Sequence, residues 1–264
     1  MEPNRAEIKE KYEADKYDRR AENILLDESK GELYVDDIHW KKISNARKPY
    51  GQYIGSIKSL GVLDGKRILE LGCGTGWLSV IFCKLGATVV GIDISRELVK
   101  IAKKRSYINR VESQTDFEVM SVHKLLFPAE SFDLVYGLSL LHHVDITKCI
   151  PEVKRVLKKG GMSVFSEPII ISHFVEAIRK KVPVPIDDDP SFPAPPLQHS
   201  DIKWIMSQFS EASVRYYRLF ESLDRVSDNR NFIRIMQLID QLCLPVWPIN
   251  KLARQIVIQL RGPS

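Results

Sequence analysis

The chain has only four cysteines, Cys73, Cys83, Cys149 and Cys243, and none forms a CxxC pair or joins histidines at zinc spacing. That argues against a disulfide framework and a structural metal, so no metal ligands are assigned. No apolar run approaches the roughly 18 residues of a membrane span. Met1 to Arg20 is densely charged and lacks the apolar centre of a secretory signal, so the default location is cytoplasmic. Charge of one sign is also missing: 39 basic residues against 34 acidic ones leave a net charge of +5. The basic residues are scattered in short clusters, Lys103-Lys104-Arg105, Lys158-Lys159 and Arg179-Lys180-Lys181. These read as solvated helix ends, not as a nucleic-acid stripe. There is no P-loop spacing GxxxxGK[ST], no internal repeat and no appended RNA-binding module.

What is present is a large apolar fraction, 44% of 264 residues, enough for one sizeable core. Residues 1–48 read as a charged, helical lead-in or cap, with Tyr12, Tyr17, Tyr34 and Trp40 as its large anchors. Residues 49–264 read as one domain. Pro49 opens a helix pattern that Gly61 ends. Apolar strand runs then recur at 68–71, 87–92, 117–120, 132–136 and 162–166, with helical patterns between them. Pro151 splits the helix before the fifth strand or starts its second half. A proline-rich loop follows within 169–200, carrying Asp187-Asp188-Asp189, which reads as solvated loop. Ser200 is placed to cap a short helix, and 212–219 and 253–260 read as strands. Between those strands stands a helical insertion, 229–252, whose apolar stripe includes Phe232, Ile235, Ile239 and Leu242. Extra core packed on the sheet is the preferred reading of that stripe, ahead of a substrate lid or a contact with a membrane surface. The alternation predicts an α/β fold: a doubly wound, mostly parallel seven-stranded sheet with helices on both faces.

The organising stretch is Ile68-Leu69-Glu70-Leu71-Gly72-Cys73-Gly74-Thr75-Gly76. A buried strand stops at three glycines and a helix pattern starts at Trp77, an arrangement that lets a nucleotide-like ligand approach the backbone. The dinucleotide pattern GxGxxG is not met. Trp77 stands where close packing around a pyrophosphate requires something small. Asp93, ending the second strand, suits a ribose diol, because a carboxylate accepts both hydroxyl protons.

Five segments in order carry a family resemblance. Glu70-Leu71-Gly72-Cys73-Gly74-Thr75-Gly76 resembles motif I of class I S-adenosylmethionine-dependent methyltransferases. Val89-Val90-Gly91-Ile92-Asp93-Ile94-Ser95 resembles the next motif, and Phe127 to Val135 the segment entering strand four. Leu141-His142-His143-Val144 and Arg155-Val156-Leu157-Lys158-Lys159-Gly160-Gly161 resemble loops of the ubiquinone/menaquinone-type small-molecule group, with Lys159 in place of a proline. The resemblance covers about residues 49–168 and implies a Rossmann-like methyltransferase fold with S-adenosyl-L-methionine as cofactor. It implies that Gly72 and Gly74 approach the methionyl part, with Cys73 between them. The resemblance further implies that Glu70 would orient the turn or the amino group, that Asp93 and its neighbour Ile94 would hold the ribose, and that Gly137 and Leu138 would line the methionine pocket. Tyr17, in Lys16-Tyr17-Asp18, looks like a cofactor-capping "YD" element. Family members often place an acid near the end of strand three for the adenine amino group. Here Ser121 stands at that position, a weaker acceptor, and the resemblance implies that Val122 and His123 would flank the adenine instead.

Methyl transfer from a sulfonium needs orientation and a dry site more than a nucleophilic side chain. A base is required only for a weakly acidic acceptor such as a hydroxyl. His142 and His143 follow the fourth strand, and Glu167 ends the fifth, all at the ligand edge of the sheet; His142 and Glu167 are the catalytic candidates, and His173 lies just beyond. The Asn/Asp-Pro-Pro-Tyr/Phe motif of amino-methylating enzymes is absent, with Gly137-Leu138-Ser139-Leu140 in its place. This favours a small-molecule or lipid-like acceptor, with peripheral membrane contact open. The alternatives are an RNA or protein methyltransferase and a non-catalytic S-adenosylmethionine-binding protein.

Overall fold

Strands flanked on both faces by helices are apolar at nearly every position, and the run Arg67–Leu71 (β1) is buried at all but its first residue. It becomes an interior strand, third in a seven-stranded sheet. The computed structural model describes residues 5–26, 33–35, 51–169, 194–220 and 229–262. The other strands are Thr88–Asp93 (β2), Thr115–Val119 (β3), Phe132–Leu138 (β4), Leu157–Pro168 (β5), Glu211–Tyr217 (β6) and Gln255–Arg261 (β7). Their order is β3-β2-β1-β4-β5-β7-β6. The pairs from β3 to β5 are parallel, and β7 runs antiparallel to both neighbours. The chain winds outward from β1 through β2 to β3, then returns to the other side of β1 as β4. The crevice between β1 and β4 is therefore the switch point at which α/β sheets bind ligands.

The helices are Arg5–Leu26 (α1), Gly51–Ser59 (α2), Trp77–Lys84 (α3), Arg96–Ile108 (α4), Ile146–Val156 (α5), His199–Ser207 (α6) and Arg230–Cys243 (α7). Successive strand residues feed opposite cores, as the two-residue period of a strand requires. Ile68, Leu134 and Val164 pack with Ile57 and Phe82 of α2 and α3. Leu69, Val135 and Phe165 pack with Ile150, Val153 and Ile205 of α5 and α6. The Ser95 side chain accepts the Leu98 N–H at 3.1 Å and caps α4.

Several local expectations change. Helix α5 runs unbroken through Pro151, because Asp145 caps its start and its apolar face, including Cys149, Ile150 and Val153, is buried. Ser200 lies inside α6, whose first turn is closed instead by Asp201 accepting the Gln198 N–H at 2.8 Å. Gly137 and Leu138 belong to β4, not to the loop after it, since they pair with Phe165 and Ser166 of β5. The stripe of α7 is divided. Of its expected members Phe232 and Ile239 are half-buried and Ile235 and Leu242 exposed, Leu242 at 76%, while the buried positions are Ile233, Asp240 and, just past the helix, Leu244. The buried face is therefore narrower than an all-core reading requires. Trp40, Pro49, His173, the Arg179–Lys181 cluster and the Asp187–Asp189 triplet lie outside the described residues.

Helix α1 crosses the ligand edge of the sheet. Its Ala21 packs with Leu98 and Ile101 of α4, with Tyr17 against them. Asp18 accepts the Ser95 hydroxyl at 2.5 Å and the Glu97 N–H at 3.1 Å, placing a carboxylate at the positive end of α4.

Gly91 in β2 has no room for a side chain, since a Cβ there would lie 2.7 Å from the Phe117 ring and 3.0 Å from Cys73 Cβ. Gly91→Ala is expected to cost about 1–3 kcal/mol by overpacking. Adding Phe117→Leu should recover part of the lost melting temperature, as thermal denaturation of the three chains would record.

Candidate active site

The turn after β1 has Gly72, Gly74 and Gly76 at φ of 64°, 52° and 70°. Only glycine takes these values without cost. Gly76 is required by packing, for a Cβ there would sit 2.8 Å from Ala102 of α4. At Gly74 an added Cβ would meet nothing within 4 Å, and the residue forms part of a cavity wall. The turn is tied to β2 by Cys73 N–H donating to the Ile92 carbonyl at 2.9 Å and Gly74 N–H donating to Asp93 Oδ2 at 2.9 Å. Asp93 Oδ1 accepts the Ser95 N–H at 2.9 Å. The Arg105 Nε donates to the Thr75 carbonyl at 2.8 Å and fixes the turn from the far side.

The cavity, about 390 Å³, lies over the ends of β1 to β4. Gly72, Gly74, Asp93 and Ile94 line it, with Met120, Ser121, Val122 and His123 after β3 and Leu138, Leu140 and His143 around the end of β4. Lys9, Glu10, Glu13 and Tyr17 of α1 complete it. Of the residues selected from sequence, Tyr17, Gly72, Gly74, Asp93, Ile94, Ser121, Val122 and Leu138 thus line one cavity. Glu70, Cys73, Gly137, His142 and Glu167 do not.

Those five support it. Glu70 is buried and accepts the Ser79 hydroxyl. Burial pushes its pKa up to about 8, with the charge of Asp93 adding to the rise, so it is mostly protonated at neutral pH. Cys73 packs with Val99, Ala102 and Phe117, and burial raises its thiol pKa well above the usual range. Burial also raises Asp93, against the opposing effect of the Ser95 and Gly74 N–H groups. Gly137 lets the Phe165 ring lie flush on β4, since a Cβ there would come within 2.7 Å of it.

Glu167 is fully buried. Its Oε1 accepts the N–H groups of Leu140 and Leu141 at 2.8 and 2.9 Å, and its Oε2 pairs with His142 Nδ1 at 2.8 Å. It holds the 139–143 turn, and His142 is held with it. The adjacent His143 reaches the cavity instead. Its Nδ1 lies 3.4 Å from Glu13 Oε1 and its Nε2 3.4 Å from the Tyr17 hydroxyl. Glu13 is 7% exposed, and its Oε2 has no hydrogen-bond partner among the described residues. Sequence reasoning did not select Lys9, Glu10 or Glu13. The available signal was Glu10, Glu13 and Tyr17 on one helical face at i, i+3 and i+7.

Among the described residues no group of histidine, cysteine and carboxylate side chains could hold a metal ion, and no helix is long and apolar enough to cross a membrane.

Residues 69–165 match the family profile described as "Methyltransferase domain". The ubiquinone biosynthesis O-methyltransferase of Xanthomonas oryzae pv. oryzae (strain PXO99A) is 43% identical over 101 residues, which is 38% of this chain and 41% of that protein. The protein of the same name from Pelagibacter ubique (strain HTCC1062) is 37% identical over 101 residues, again 38% and 41% of the two chains. The chain thus spans about two fifths of the length of these relatives. Geranyl diphosphate C-methyltransferase from Streptomyces coelicolor A3(2), solved with Mg2+, geranyl diphosphate and S-adenosyl-L-homocysteine, superposes with a TM-score of 0.58. That match is 15% identical and covers 80% of this chain and 78% of that one, a likeness of fold.

The raised pKa of Glu70 makes stability depend on pH. The folded chain keeps a proton that the unfolded chain releases above its ordinary value of 4.5. This contribution is complete below that value, declines as pH rises and is gone beyond about 8. Glu70→Gln, neutral at every pH, should flatten the decline. Its melting temperature relative to the parent should rise between pH 5 and pH 8.5, and a constant offset would contradict the assignment.

Proposed function

We propose that this chain methylates a hydroxyl group of a small, lipid-like molecule, a reading supported by the match of residues 69–165 to the methyltransferase-domain profile and by the likeness of the fold to an S-adenosylhomocysteine-bound methyltransferase. One observation carries the reading. The left-handed turn at Gly72 and Gly74, the Asp93 carboxylate and His143 meet in one cavity at the switch point of the sheet. When bound, S-adenosyl-L-methionine supplies an activated methyl group on a sulfonium.

The residues fit that cofactor. Gly74 leaves open the space that a side chain would fill. Asp93 accepts the Gly74 and Ser95 N–H groups with that of Ile94 beside them, and a carboxylate offers about four acceptor sites, so capacity remains for a ribose hydroxyl. Leu138 and Tyr17 form walls on either side, while Glu70 and Cys73 support the turn from beneath. Orientation alone can supply about 7–11 kcal/mol to a displacement of this kind.

A hydroxyl acceptor must also lose a proton. We assign that task to His143 in place of His142, with Glu13 and Tyr17 facing its two ring nitrogens. His142 and Glu167 become positioning residues for the turn that presents it. The relatives named O-methyltransferase support a hydroxyl acceptor, and a cavity covered by α1 suits a small molecule better than a polymer.

Isothermal titration with S-adenosylmethionine and S-adenosylhomocysteine tests the cofactor. Binding is expected, and its absence at millimolar ligand with the protein folded would refute the reading. Gly74→Val should abolish binding. Asp93→Ala should weaken it by about 1.5–3 kcal/mol, the range for a hydrogen bond to a charged group. For the acceptor step, His143→Ala should lower transfer of labelled methyl to a lipid extract by about 10²–10⁴-fold. Its affinity for S-adenosylhomocysteine should stay within a few-fold of the parent, and unchanged transfer would remove His143 from the chemistry.

A further inference from the structure

Beyond Asp93, the cavity continues past the end of β3, where the buried side chains of Met120 and Val122 provide apolar walls. A ligand whose ribose rested on Asp93 would have this part of the same cavity available for its base. The residue that strand three offers is Ser121, and its hydroxyl is already committed. It accepts the His123 N–H at 3.1 Å and donates its only proton to Glu10 Oε1 at 2.5 Å. Ser121 therefore holds a carboxylate that arrives from α1.

A second group holds the same oxygen. Asp145 N–H donates to His123 Nε2 at 2.9 Å, so the proton of the neutral ring lies on Nδ1, which pairs with Glu10 Oε1. Two donors thus converge on one oxygen of Glu10, and its Oε2 has no partner among the described residues. Glu10 also lines the cavity. A carboxylate oriented by two side chains and open on its second oxygen is an acceptor for an N–H group on the ligand.

We infer that Glu10, carried on α1, recognises the exocyclic 6-amino group of the cofactor's purine, the part that Ser121 at the end of strand three does not play. The inference rests on the S-adenosylmethionine reading given above and adds to it a residue that confers base specificity. It assigns Ser121 and His123 as positioning residues for that acid. It also makes α1 part of the binding site, so cofactor recognition is completed by a segment outside the 69–165 match.

The test compares two ligands in titration: S-adenosylhomocysteine and its 6-deamino analogue, in which the purine carries hydrogen in place of the amino group. The parent chain should bind S-adenosylhomocysteine at least tenfold more tightly. Glu10→Ala should bind the two within about twofold of each other, with the analogue's affinity kept near that of the parent. Glu10→Gln, which retains an acceptor for Ser121 but no charge, should fall between. A preference that persists in Glu10→Ala, or is missing from the parent, would overturn the inference and leave the cofactor reading intact. Equal weakening of both ligands by Glu10→Ala would show that the residue only anchors α1, which also overturns it. Failure of the parent to bind either ligand would instead reject the cofactor reading itself.

Discussion

The carboxylate of Asp93 ties the separate parts of the site together. One oxygen takes the Gly74 N–H from the turn after β1, and the other takes the Ser95 N–H from the turn after β2. The Ser95 hydroxyl in turn donates to Asp18, which fastens α1 across the cavity. A single buried group thus connects the glycine turn, the start of α4 and the covering helix. Burial alone raises the pKa of such a group, and the two N–H groups oppose that rise. Glu70 shows the contrast. It is also buried, its side chain accepts the Ser79 hydroxyl, and burial carries its pKa up to about 8. Two neighbouring buried acids thereby hold different groups: Asp93 takes backbone N–H groups from two turns, and Glu70 takes the Ser79 hydroxyl beneath them.

The covering helix differs in kind from the sheet beneath it. The strands are held by continuous ladders and two apolar cores, one on each face. Helix α1 is held by a small apolar contact at Ala21, Leu98 and Ile101 and by polar side-chain bonds from Glu10 and Asp18. Its polar bonds fall on the same face as its cavity-lining residues. Glu10 and Tyr17 both dock the helix and line the cavity, so changes at these two positions alter both at once.

This division explains what could be read in advance. Strands β1, β2 and β4 were legible because burial on both faces writes continuous apolar runs, and the Ser95 cap was legible because a cap needs a small oxygen-bearing side chain at one position. The full extent of β4 was hidden, since Gly137 is unfavourable in a strand by propensity and its place is set by the Phe165 ring on the neighbouring strand. The choice between His142 and His143 was hidden too. The backbone between β4 and the histidines passes through Ser139 at φ 50°, and one residue of phase decides which ring reaches the cavity. Glu10 and Glu13 were hidden because a row of acids on a charged helix looks the same whether it faces water or a ligand. The divided stripe of α7 illustrates the opposite limit: periodicity marks an apolar face without stating how much of it another element covers.

The lining charges bear on the ligand more directly than the net charge of the chain. The protein is basic overall, at +5. The cavity is acidic, with Glu10, Glu13, Asp93 and Asp145 set against Lys9. A dinucleotide would bring a pyrophosphate into that field, and repulsion from several carboxylates in a low-dielectric cavity would weaken it. S-Adenosylmethionine brings a positive sulfonium and an ammonium group, which the same field attracts. Glu13 sharpens the point. A buried polar group without a hydrogen-bond partner among the described residues, as at Glu13 Oε2, costs about 1–3 kcal/mol. Such a cost is removed when a cationic ligand or a hydroxyl proton enters the cavity beside it. The acidity of the cavity and the lone oxygen of Glu13 thus select for the same ligand class that the glycine turn leaves room for.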